Sequence, residues 1–177
     1  MRKFFGKMVL KLFPEFGTPL KVGGVFTMTC KDKDGNFKWK EVFKNGVTTL
    51  GLNHLLDVTF HGSTQKTTWY IGLIRDDNYS ALAAADTLAS HAGWEEGDEY
   101  TGDRKEWTEG AAAAGVMTNA ATVDFTMDDT ETMKGAFLCA AATGTAEVLF
   151  CTALFTGGDQ AVAAADVLQV TYELTAS

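Results

Sequence analysis

Proline is scarce in this chain, with two in 177 residues, and its eighteen glycines follow no collagen-like period. Together with the balanced hydropathy, this excludes collagen-like, coiled-coil and polytopic membrane classes. Long apolar runs are missing as well: no stretch reaches the roughly eighteen residues that a membrane-spanning helix needs. The three cysteines, Cys30, Cys139 and Cys151, form an odd set with no CxxC pair and no zinc spacing. Reduced thiols and synthesis in a reducing compartment are the expectation. Each cysteine sits in an apolar run, where a thiol packs as a small hydrophobe. Cys139 and Cys151 fall in candidate neighbouring strands, and spacing alone does not decide whether they pair.

Catalytic patterns are also wanting. GxSxG, HExxH and a phosphate-binding glycine loop do not occur, so no nucleophile, base and orienting group stand together in the sequence. Ser90 and His91 are adjacent residues, which in a strand point to opposite sides. Glu95 and Glu96 are two of many acids in one loop and do not define a glycosidase pair. The chain reads as non-enzymatic, with no catalytic residue, cofactor or metal ligand set.

What is present supports a packed domain. Hydrophobic residues make up 46% and charged residues 21% of a 19.1 kDa chain with mean hydropathy -0.04, which suits one soluble domain plus an appendage. The net charge of -8 is uneven. Residues 1–44 carry ten bases and four acids, whereas residues 45–177 carry five bases and nineteen acids. An acidic body repels phosphate backbones, so direct nucleic-acid binding is not expected. A basic arm on an acidic body suits docking on a neighbouring copy or on another acidic protein.

That arm is residues 1–22. Phe4, Phe5, Met8, Val9, Leu12 and Phe13 recur at helical spacing, with Lys3, Lys7 and Lys11 every fourth residue, and Pro14 stops the pattern. A basic amphipathic helix can pack on its own domain, lie on a membrane or enter a partner's groove. The partner reading is favoured over the membrane one. The lysines interrupt the apolar stretch, and no small-residue cleavage site follows, so a secretory signal is not expected.

Residues 23–177 read as an all-β domain. Strands are predicted at 24–30, 36–43, 67–74, 123–127, 134–140, 147–155 and 168–175, from alternation or short apolar runs between glycine- and threonine-rich turns. In the second strand Phe37, Trp39, Glu41 and Phe43 share one face. Asp34-Gly35 marks a hairpin between the first two strands. The DKDGN segment lacks one ligand position of an EF-hand loop, so a turn is the better reading. Thr48 or Thr49 is a candidate cap for a short helix that buries Leu52, Leu55, Leu56, Thr59 and Phe60. His54 and His61 are seven residues apart, which does not fit metal ligation from one helix. The run TTWYIGLI is apolar on both faces, as in a central strand. Antiparallel strands at these intervals point to a β-sandwich, jelly-roll or immunoglobulin-like.

Two segments stand out within this domain. ALAAADTLAS (81–90) and AVAAADVLQV (161–170) share an A-[LV]-A-A-A-D-x-L echo, read as a turn whose Asp accepts backbone N–H groups before a strand. Residues 95–110 hold seven acids and two bases around Tyr100 and Trp107, and read as a solvated lobe followed by a flexible GAAAAG.

Five motifs carry a resemblance. A G-G-V-F-x-M-x-C-x-D-x-D-G-N-x-K-W opening spans Gly23–Trp39, and N-x-V-T-x-x-G-L-N-x-L-L-D spans Asn45–Asp57. W-Y-I-G-L lies at Trp69–Leu73, D-T-L-A-S-H-x-G-W at Asp86–Trp94 and F-x-x-G-D-Q-x-V at Phe155–Val162. The chain resembles a group of small virion proteins of tailed bacteriophages over roughly residues 22–175. The resemblance implies a non-enzymatic structural protein of the virion, assembled in the host cytoplasm, whose partners are the major capsid protein and copies of itself. Capsid decoration is the favoured role, with a neck or tail ring component as the alternative. A fibre adhesin presenting Trp94, Tyr100 and Trp107 to sugars is the third reading. The residues expected to grip a partner are Lys3, Phe4, Phe5, Lys7, Met8, Val9, Lys11 and Leu12 of the arm, with Trp39 and Phe43 anchoring the hairpin nearby.

Overall fold

The computed structural model describes residues 20–177. The helix expected in the basic arm and its expected contact residues, Lys3, Phe4, Phe5, Lys7, Met8, Val9, Lys11 and Leu12, lie outside the described residues. The rest is antiparallel β-structure with one helix. In chain order the elements are β1 (Val22–Lys31), β2 (Phe37–Val47), α1 (Thr49–Phe60), β3 (Tyr70–Arg75), β4 (Glu95–Gly97) and β5 (Lys105–Glu106). They continue with β6 (Val116–Thr118), β7 (Val123–Thr126), β8 (Glu131–Cys139), β9 (Leu149–Leu154), β10 (Gln160–Val162) and β11 (Val167–Ala176). All seven strands expected from the sequence are present, with shifted ends. The third begins at Tyr70, so Trp69 precedes it.

The hydrogen-bonded order is β4-β3-β8-β9-β2-β1-β11-β6, with β10 on β8, β5 on β3 and β7 on β11. β2 is the joint. Its first part, through Lys44, pairs with β1, and Asn45–Val47 pairs with β9. Strict alternation along β1 and β11 turns Phe26, Met28 and Cys30, and Leu168, Val170 and Tyr172, to one side. There they meet Ile71 and Leu73 of β3 and Leu138 of β8 in a single core cluster. Phe26 stacks on Tyr172 with ring centroids 4.2 Å apart.

β3, β8 and β9 are buried on both faces. Ile74, Phe137, Cys139 and Leu149 belong to a second cluster, under Leu88 and Trp94 of the 76–94 connection. This is why these strands read as continuous apolar runs while β1 and β11 alternate. Cys139 belongs to this outer cluster and Cys151 to the main core, so the sheet separates them, and all three thiols are free and buried.

Turn chemistry follows the sequence closely in three places. Gly35 has φ +83°, and the Asp32 carboxylate accepts the N–H groups of Asp34 at 2.9 Å and Asn36 at 2.8 Å. The DKDGN segment is thus a hairpin turn closed by its own aspartate. The two echoed segments are alike in their hydrogen bonds. Oδ2 of Asp86 accepts the Ala83 N–H, and Oδ2 of Asp166 accepts the Ala163 N–H, both at 2.8 Å.

Two expectations are corrected. The GAAAAG run is not a flexible linker: Ala113 and Val116 exchange both backbone hydrogen bonds across Ala114 (φ +52°) and Gly115 (φ +78°). Positive φ at both central residues is the geometry that matches the twist of a hairpin. The acidic stretch at 95–109 is not a solvated lobe either. Tyr100 and Trp107 are buried, and β4 and β5 pair with β3. Arg75 binds Glu95 and Glu99, each at 2.6 Å, and Arg104 binds Glu96 at 2.7 Å. Arg75 of β3, distant in sequence, and Arg104 of the stretch itself therefore hold these acids on the sheet.

Candidate interaction surface at the helical end

Helix α1 leaves β2 at one end of the sheets. Thr48 caps it, its Oγ1 accepting the Gly51 N–H at 2.9 Å. Gly51 is the residue that seats the helix. A Cβ there would overlap the Phe150 carbonyl oxygen and approach its Cα to 3.0 Å, so glycine alone allows this contact with β9. The helix closes where His61 N–H donates to the Asp57 carbonyl at 3.0 Å.

The inward side of α1 is not the one its sequence suggests. Of the five residues expected to be buried, Leu55 packs on the core, whereas Leu52, Leu56 and Phe60 are 44%, 55% and 82% exposed. Thr59 is exposed too. Each residue advances about 100° around a helix. Gly51, Leu55 and Val58 point inward, and Leu52, Leu56 and Phe60 form a stripe well away from them. The helix is apolar on two sides, and the sheet covers one.

Beside α1 a cavity of about 330 Å³ opens at the same end. Leu55 and Val58 of the helix, Trp69, Trp107, Phe150 and Leu174 form its apolar walls. His54 meets Trp69 edge-on at 5.7 Å, and Trp69 meets Phe150 edge-on at 5.5 Å. Trp107 is fixed by its Nε1–H, which donates to Asn119 Oδ1 at 2.7 Å. Asn119 Oδ1 also accepts the Tyr172 N–H at 2.7 Å, so one amide ties the cavity wall to β11. Among the described residues no three His, Cys, Asp or Glu side chains are grouped to hold a metal. The cavity is also lined by His54, Gln65, Lys66, Thr67 and Glu109, so it offers apolar contact beside a few polar groups.

The two expected hairpin anchors fall elsewhere. Phe43 is 1% exposed, stacked on Phe26 at 5.5 Å and edge-on to Phe155 at 4.9 Å. It cannot touch a partner. Trp39 is half-buried, its ring tilted on Phe155 at 5.7 Å and its Nε1–H donating to the Ala161 carbonyl at 3.1 Å. Of the four residues expected to share one face of β2, Trp39, Glu41 and Phe43 turn to the inner face, whereas Phe37, beyond a register shift at Cys30/Lys31, is exposed. Trp94, Tyr100 and Trp107 are likewise buried, which removes them as a platform for sugars. His91 supports Trp94, stacking on it at 3.9 Å and lying 3.0 Å by Nδ1 from its carbonyl oxygen.

The sequence matches no protein-family model and no curated protein.

The exposed stripe of α1 escapes sequence reasoning because a helical period is compatible with more than one apolar face. Its signal is present in TLGLNHLLDVTF, where apolar residues occur around most of the circumference and a single acid, Asp57, interrupts them.

Proposed function

We propose that this chain is a non-enzymatic structural protein of a tailed-bacteriophage virion, and that it decorates the head shell. The observation that carries this reading is the apolar stripe Leu52, Leu56 and Phe60, three exposed large apolar side chains in line on one helix, uncovered among the described residues of an acidic β domain. A contiguous exposed apolar surface marks a place for association rather than for chemistry. The resemblance to small phage virion proteins supplies the setting, and its motifs fall on residues that build the fold. They include Asp32 and Gly35 of the hairpin turn, Gly51 under α1, and Asp86 and Trp94 of the layer over β3, β8 and β9.

The fold accompanying this reading is a β-sandwich, supported by the path of β2 between two ladders and by the common core of their inner faces. The mechanism is mechanical. Each copy buries apolar surface where shell subunits meet, and a standard interface covers about 1,600 Å² in total. Repetition over a closed lattice multiplies a modest gain per site.

A neck or tail ring is the second reading. Residues 20–177 carry eleven bases and twenty-two acids, and an acidic lumen would keep DNA from adhering to the wall. Quantitative mass spectrometry of purified virions separates the two. Decoration gives a ratio to the major capsid protein of about one, or about one-third at reduced occupancy, as closed symmetry dictates. A total of about six to twelve copies gives a ring and overturns decoration.

A further inference from the structure

We propose that the stripe on α1 of one copy receives residues 2–13 of a second copy, so that neighbouring copies are linked by exchanged arms. This rests on the reading of the helical end as an association surface and names its occupant.

Three observations converge. Leu52, Leu56 and Phe60 recur every four residues, which on a helix places them about 6 Å apart along one line. Such a line accepts a second amphipathic helix, apolar side to apolar side. Residues 2–13 have the matching pattern in Phe4, Phe5, Met8, Val9, Leu12 and Phe13, and their helix would be about 18 Å long, the length of α1.

Charge is complementary as well. Residues 1–19 hold four bases and one acid, against the eleven bases and twenty-two acids of residues 20–177. Lysines flanking an apolar stripe are drawn to an acidic body and discourage pairing of arm with arm.

The third observation is position. Lys21 N–H donates to the Ser177 carbonyl at 2.7 Å, and β1 starts at Val22 opposite Ala176. Leu174, which lines the cavity beside α1, pairs with Gly24 of β1. The arm therefore joins the body at the helical end. β1 runs into the sheet from there, and Leu20, two residues before it, is 74% exposed. Residues 14–19 span at most about 20 Å when extended.

The test uses the full-length protein and two double variants. Leu56→Asp with Phe60→Asp places charge on the exposed stripe, and Phe5→Asp with Met8→Asp places it on the arm. Sedimentation velocity of the wild type is expected to show concentration-dependent self-association, and each variant alone is expected to lose it. An equimolar mixture should regain a dimer, because one intact arm then meets one intact stripe. A wild type that stays monomeric, variants that still associate, or a mixture that remains monomeric would each overturn the proposal. Circular dichroism confirms that the variants are folded. Should either variant misfold, a Met8→Cys chain mixed with a Phe60→Cys chain and oxidised decides the same question: a linked heterodimer supports exchange, and its absence rejects it. Virion copy number is independent of these readouts, so failure of arm exchange and failure of the decoration role are distinguishable.

Discussion

The indole Nε1–H of Trp94 donates to Oδ2 of Asp86 at 3.0 Å, inside the layer that covers the outer face of β3, β8 and β9. The same oxygen accepts the Ala83 N–H, so one buried carboxylate closes a turn and orients the aromatic ring packed on Phe137. Asp166 performs the first task at the opposite end of the echo and adds an ion pair with Lys38.

Replacing Asp86 with Ala leaves the buried indole N–H of Trp94 without a partner, whereas the part-buried Ala83 N–H can turn to water. A loss of about 1–3 kcal/mol is expected in urea unfolding, as a lower midpoint with little change in slope. Asp86→Asn, which keeps a carbonyl acceptor, should lose less. A loss below about 0.5 kcal/mol for the Ala variant would contradict the structural role.

The inner face of β2 makes a paired prediction. Phe43→Ala should cost about 3–5 kcal/mol, as should Tyr172→Ala, since both rings are buried in the main core. Phe37→Ala should stay within about 0.5 kcal/mol, because Phe37 is 65% exposed. Trp69 is half-buried, and its replacement should fall between these limits. Thermal melts of the four variants check the order, and a reversed order for Phe37 and Phe43 would mean that β2 pairs in a different register.

Thiol chemistry provides a third check. Burial pushes the Cys30 thiol up to about 12 and the Cys151 thiol up to about 11, and it raises Cys139 as well. The thiolate is the reactive form. A disulfide reagent at about pH 8 should therefore leave the native protein unmodified and titrate three thiols after denaturation. A thiol that reacts rapidly in the native state would show that one of the two clusters is open.

Acid should destabilise the domain in a defined window. The hydrogen bond from Arg75 holds Glu95 below the usual carboxylate range, and Asn36 and Lys134 do the same for Asp32 and Asp76. A carboxylate with a depressed folded pKa stabilises above its unfolded value, near about 4, and that contribution is lost as pH falls through the folded value. Stability is thus expected to be flat from neutral pH to about 5 and to decline below about 4. Glu95→Gln should flatten part of the decline. An unchanged acid slope in that variant would remove Glu95 from the account.

The long strands and the first hairpin are legible in the sequence because their signals are local. Alternation in β1 and β11, the Asp34-Gly35 pair and the Thr48 cap each act through neighbours in sequence. So does the Asp of the alanine echo, whose carboxylate reaches a backbone N–H three residues back. The short strands β4, β5, β6 and β10 are not legible. Two or three residues carry no measurable period, and their partners lie far along the chain.

Local patterning in the amino-acid sequence determined which segments become strands, where the turns fall and which residues of a strand share a face. Tertiary structure alone decided which of those faces is inside. The shared face of Trp39 and Phe43 became core because the far ends of the chain, β9 and β11, pack around it. Glu95 and Glu99 were drawn onto the sheet by Arg75, more than twenty residues before Glu99. The stripe Leu52, Leu56 and Phe60 stayed outside because Gly51 seats the other side of α1 on β9. A helix can lay one side on a sheet, and when two are apolar the closest backbone contact selects which is buried.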